Sequence, residues 1–139
     1  MPANALFNEL ALPEGVMDNR STYIRQVRAG IPGRIVRQAV ELLGSRDLLV
    51  RLLHTSSANL SRYYRKKTLT PGDSEEVLDA LRVFFEAVRL WGDLDRAREW
   101  LNSPLPALDG DRPVDLFDTF EGRRWVSQVL RKIEHGEFS

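Results

Sequence analysis

WLNSPLPALDGDRPVDLFDTFEG, residues 100–122, interrupts a chain that otherwise reads as helix. Pro104, Pro106, Gly110 and Pro113 hold this backbone extended or turned, because proline fixes φ and cannot continue a helix. Five apolar side chains, Leu105, Leu108, Val114, Leu116 and Phe117, are spaced along it. Fixing the backbone in advance lowers the entropy lost when such anchors meet a partner. The same leucines could instead pack into their own domain, and Leu108 and Leu116 are expected to do so.

Helical periodicity surrounds the stretch. A short helix is expected near residues 19–29, with Tyr23, Ile24 and Val27 on one side. The next starts at Pro32 in its first turn, runs through Ile35, Val36, Ala39 and Val40 to Leu43, and stops at Gly44. Ser45 caps a helix with the face Leu48, Leu49, Leu52 and Leu53. A helix over 57–66 follows, with Leu60 and Tyr64 inward. Thr70-Pro71-Gly72-Asp73-Ser74 breaks the chain before a long helix from about Ser74 to Trp91. Gly92 ends that helix, and Asp93 caps a short one through Leu101. Asp118 or Thr119 caps the last helix, whose apolar face is Val126, Val129, Leu130 and Ile133, and Gly136 ends it. Residues 1–19, with Pro13 and Gly15 and no clear period, read as a loose arm. The fold class expected is all-α, with domains at 20–72 and 73–139.

The net charge of zero conceals a division. Residues 20–67 carry +9, residues 68–139 carry −6, and the first nineteen carry −3. Such asymmetry points to two jobs, a polyanion for the basic segment and a different partner for the acidic one.

The basic segment holds a candidate helix-turn-helix over 46–53 and 57–66. The motif needs a small residue at the helix crossing, a turn residue at positive φ and an apolar pin in the second helix. Those positions fall on Val50, His54 and Leu60. Val50 is larger than the usual alanine, and His54 replaces the usual glycine. If the pair binds DNA, Ser57, Ala58, Asn59 and Arg62 face the major groove, where Asn reads adenine and Arg reads guanine. Tyr63, Arg65, Lys66 and Lys67 then meet phosphates. The competing reading is a helical pair in a bundle with a solvated basic face.

No catalytic or metal set emerges. The chain has no cysteine, no glycine-rich phosphate loop, and only two histidines, His54 and His135, far apart in sequence. It lacks a secretory signal and any apolar run near the ~20 residues of a membrane span, so a cytoplasmic protein that is no enzyme, with no cofactor and no membrane partner, is expected. Trp91, Trp100 and Trp125 read as core or interface.

Residues 100–139 resemble the C-terminal toxin-binding domain of the Xre/ParS/MbcA family of antitoxins. The matching positions are Trp100, Leu101, Pro104, Leu108, Gly110, Pro113, Leu116, Thr119, Gly122, Val126, Leu130, Ile133 and Gly136. The preceding helices are similar too, and the helix-turn-helix lies where the family carries its Xre/Cro-like domain, so the resemblance spans about residues 30–139. It implies a type II antitoxin that binds a RES-domain toxin consuming NAD, covers its active site, represses its own operon through operator DNA, and forms a homodimer. Toxin-contacting positions it suggests are Trp100, Leu105, Leu108, Arg112, Pro113, Arg124, Arg131, Glu134, His135, Gly136, Glu137, Phe138 and Ser139. Of these, Glu134, Glu137 and Phe138 are the candidates for the mouth of the NAD site. A stand-alone dimeric helix-turn-helix regulator is the alternative.

Overall fold

The computed structural model describes residues 9–136, which form seven α-helices and two short 3-10 helices, with no strand among them. The helices are α1 (Arg20–Ala29), α2 (Arg34–Leu43), α3 (Arg46–Leu52), α4 (Ser57–Tyr64), α5 (Pro71–Trp91), α6 (Leu94–Leu101) and α7 (Phe120–Glu134). The 3-10 helices η1 (Pro106–Leu108) and η2 (Pro113–Leu116) lie in the proline stretch.

Helix α5 is the axle. It is apolar on most of its circumference, with a charged stripe through Asp79, Arg82, Glu86 and Arg89, and buries Val77, Leu78, Leu81, Phe84, Phe85 and Val88 among its residues. Helices α1, α2, α3, α6 and α7 all pack against it. Each fully buried Leu or Phe contributes about 1.5–3 kcal/mol relative to exposure. The buried side chains form a single cluster from Leu10 to Leu130 that crosses the expected boundary at residues 72–73. Ser74 shows the continuity: its Oγ, fully buried, accepts from the Ile31 N–H at 2.9 Å.

Local signals place most helix ends. The side chains of Asn19, Ser45, Ser56, Thr70, Asp93 and Thr119 each cap a helix by accepting a backbone N–H. Gly44 and Gly92 stop α2 and α5 in the left-handed region, at φ 70° and 75°. Three sequence expectations are corrected. Pro32 lies outside α2, which begins at Arg34 after Gly33. Pro71 starts α5 rather than breaking the chain before it, because Thr70 is the cap and proline suits the first turn. The described part of the arm, residues 9–19, is packed rather than loose: Leu10 and Val16 are buried, and Gln38 on α2 holds the backbone of Glu9 and Ala11.

Gly33 sets how α4 meets α2. Its N–H donates to the Lys66 carbonyl at 2.9 Å, and any Cβ there would overlap the Tyr63 carbonyl oxygen. At the other end of α2, Arg98 of α6 donates to the carbonyls of Leu42 and Glu41 at 2.9 and 2.6 Å, satisfying groups the helix end leaves open.

Candidate functional site

The proline stretch folds back on itself. The Leu105 carbonyl accepts from the N–H groups of Leu108 and Gly110 at 3.0 and 2.9 Å, and the Leu105 N–H donates to Asp111 at 3.1 Å. Asp109 and Gly110 make the reversal at φ 55° and 84°. Leu108, Val114 and Phe117 point into the core, whereas Leu105 and Leu116 are half-buried. The stretch is therefore a nailed-down loop with Leu105 as its outward anchor. Arg112 closes it with a two-pronged bond to Asp115, both arms 2.8 Å, which holds the Asp115 carboxyl below its ordinary range.

An ionic knot beneath the loop fixes α7. Arg123, with a side chain 2% exposed, reaches Asp79 at 2.6 Å and Glu76 at 3.0 Å on α5, and donates to the Phe117 carbonyl at 2.8 Å. Asp79 also pairs with Arg82, whose guanidinium lies 4.3 Å from the Tyr23 ring centroid. Burial pushes the Tyr23 hydroxyl up to about 12. At the start of α7, Gly122 is buried against the loop, and a Cβ there would overlap the Leu116 carbonyl oxygen.

These supports present an open apolar groove of about 570 Å³. Trp91 of α5, Trp100 of α6 and Trp125 of α7 line it with Leu105, Pro106, Val129, Ile133 and Lys132. The rings of Trp91 and Trp100 are 6.1 Å apart and tilted. The buried Trp91 indole N–H has no hydrogen-bond partner. Convergent aromatic side chains with a charged rim are the composition of protein interfaces.

Of the sequence-suggested contact positions, Trp100 and Leu105 line this groove. Arg124 and Arg131 line a second, polar channel on the other flank of α7. Glu134 and His135 are exposed at the helix end, where Gly136 turns at φ 71°, and Arg112 is exposed at the loop's edge. Leu108 and Pro113 are buried within the loop, where they pack against the fold. Glu137, Phe138 and Ser139 lie outside the described residues. Sequence reasoning missed Arg123 and did not join the three tryptophans into one groove. The phase of α7 carried the signal for Arg123, three residues before Val126 and seven before Leu130 on the buried face.

In the basic half, α3 and α4 meet through the turn at His54, whose φ is 53°. Leu60 is fully buried and Val50 partly so. Ser57, Ala58 and Arg62 are exposed and Asn59 half-exposed on α4. Arg46 of α3 grips Ser57 and donates to the Tyr64 hydroxyl at 3.1 Å, bracing the pair. Lys66 lies 4.3 Å over the Tyr63 ring. Arg62, Arg65 and Lys67 are exposed with no ion pair among the described residues. Arg51 of α3 links the halves, reaching Asp47 at 3.0 Å and Asp118 beside the loop at 3.4 Å. No helix of the described residues is long and apolar enough to cross a membrane.

Residues 86–136 match the family model described as the antitoxin Xre/MbcA/ParS C-terminal toxin-binding domain. The "Prs ADP-ribosylating antitoxin" of Sphingobium sp. (strain YBL2) is 38% identical over 96 residues, covering 63% of this chain and 60% of that protein. The "Antitoxin Xre" of Photorhabdus laumondii is 28% identical over 138 residues, covering 96% of this chain and 90% of that one. The chain thus spans about 60% of the length of the Sphingobium relative and nearly all of the Photorhabdus one. In fold it is similar to a chain of the crystal structure of the M. tuberculosis MbcT–MbcA toxin–antitoxin complex, with a TM-score of 0.54, 22% identity, and coverage of 77% of this chain and 96% of that one. The resemblance read from residues 100–139 is upheld, and all lining residues of the tryptophan groove fall within the matched segment.

Proposed function

We propose that this chain, whose residues 86–136 match the Xre/MbcA/ParS toxin-binding domain, is a type II antitoxin that binds and neutralises a cognate RES-domain, NAD-consuming toxin by covering its active site. The observation that carries the reading is the tryptophan groove, an apolar surface built by three helices and a proline-stiffened loop inside the matched segment. A pre-shaped apolar surface binds with little ordering cost. On this reading the toxin's NAD pocket meets the end of α7, and the exposure of Glu134 and His135 there supports it.

The braced α3–α4 pair supports a second arm, repression of the chain's own operon. Ser57, Asn59 and Arg62 are the base-reading candidates, and Arg65, Lys66 and Lys67 the phosphate contacts. A homodimer would present two such pairs to a palindromic operator. The exposed basic side chains of α4 would also serve a free-standing regulator, which differs in having no toxin partner.

The test is inhibition of the toxin encoded beside this gene. The full chain is expected to stop NAD loss, and a chain ending at Ile133 to do so less well while retaining fold and DNA affinity. Equal inhibition by the truncated chain removes the role of the helix end.

A further inference from the structure

Helix α7 is a ridge between two grooves. On one flank is the tryptophan groove; on the other runs a polar channel of about 480 Å³ bordered by Arg82, Glu86, Phe120, Arg124, Ser127 and Arg131. Gln128 lines both, so they share the crest of the ridge. The crest is an unbroken exposed stripe: Phe120, Glu121, Arg124, Gln128, Arg131 and His135 all face solvent.

The charges of the channel are not equivalent. Asp79, at its floor, is engaged by Arg123 and Arg82, and Glu86 accepts a 2.7 Å bond from Ser127. Asp79 is thus ion-paired within the fold, and Glu86 is held in place by a neutral hydroxyl. Arg124 touches only the exposed Glu121, at 3.9 Å, and Arg131 has no ion pair among the described residues. Four arginines, Arg82, Arg123, Arg124 and Arg131, line the channel against two acids, Asp79 and Glu86, so its lining is positive although residues 68–139 carry −6. Arg124 and Arg131 are seven residues apart, about 10 Å along a helix at 1.5 Å per residue. Phe120, 63% exposed, lines the channel and is the most exposed large apolar side chain among the described residues. An exposed aromatic beside uncommitted arginines fits a protein partner with carboxylates and an apolar contact.

We infer that the toxin straddles α7, seating an apolar side chain in the tryptophan groove while an acidic segment, with carboxylates about 10 Å apart, pairs with Arg124 and Arg131 beside Phe120. The inference rests on the antitoxin reading and extends it to the partner's chemistry. The two flanks divide the work. Exposed complementary charge governs encounter rate and salt dependence, and apolar burial governs residence time.

The experiment is biolayer interferometry of the full chain against the purified product of the neighbouring gene, at low and at physiological salt. Arg124→Glu/Arg131→Glu is expected to lower the association rate about tenfold and to flatten its salt dependence, with melting unchanged. Phe120→Ser and the milder Arg131→Gln are expected to weaken binding in the same direction by a smaller factor. Charge-reversed chain that binds within about twofold of wild type overturns the inference and leaves the antitoxin reading standing. Loss of DNA affinity by the same variant, with toxin affinity unchanged, overturns it in favour of a nucleic-acid face. Wild-type chain that binds no toxin removes the antitoxin reading and the inference with it.

Discussion

Replacing Arg123 with methionine tests whether the buried ionic knot holds the C-terminal half in place. The substitution keeps volume and removes bonds to Asp79, Glu76 and the Phe117 carbonyl. Asp79 is left 11% exposed in its side chain with only Arg82, itself 40% exposed, as partner. Removing one partner of a buried pair costs about 3–5 kcal/mol, because the stranded charge remains desolvated. Glu76 is 37% exposed and adds little. At about 2.1 cal/mol/K of unfolding entropy per residue, 139 residues lose about 3–4 °C per kcal/mol. The expected fall in Tm is therefore about 10–17 °C by circular dichroism at neutral pH. Arg123→Met/Asp79→Leu removes both charges and is expected to recover much of the loss, since apolar replacements of buried pairs are often neutral or better. A fall under about 3 °C, or single-mutant effects that add within about 0.5 kcal/mol, would refute the coupling.

The remaining predictions concern the groove, the loop and pH. Gly122→Ala is expected to lower Tm and toxin affinity together, as its methyl must displace the Leu116 carbonyl; scanning calorimetry and a binding titration check this. Ile133→Glu, at the half-buried rim of the tryptophan groove, is expected to weaken toxin binding tenfold or more (about 1.4 kcal/mol) with little loss of Tm. Tyr23 is a weak acid held neutral, its ordinary value near 10 raised to about 12 by burial. Its contribution is complete below about pH 10 and lost as pH rises towards 12. Tyr23→Phe is thus expected to lessen alkaline unfolding, and to leave neutral-pH stability equal or higher because the buried hydroxyl has no partner. Arg62→Ala is expected to reduce operator affinity in a gel shift without changing toxin binding.

Much of the scaffold was legible because it is local. Ser45, Asp93 and Thr119 act within one helical turn of themselves, so their caps follow from short windows. His54 is instructive: the spacing from Val50 to Leu60 demanded a left-handed residue there, and the chain adopts φ 53° although histidine is an unusual choice. What was hidden is tertiary. Trp91, Trp100 and Trp125 come from three helices, and only packing around α5 brings them to one wall. Arg123 and Arg124 are adjacent and chemically identical, yet one is buried on Asp79 and the other exposed, a difference of helical phase alone. The packed arm was missed because Leu10 and Val16 are too few and too irregularly spaced to show a period.

The central claim, that this chain neutralises a toxin through its C-terminal half, is met most directly by co-expressing it with the neighbouring gene and following size-exclusion elution together with NAD consumption. A stable complex, with NAD loss by the free toxin and none in the complex, is the result expected. The chain eluting alone, with NAD loss undiminished when it is added, would contradict the account.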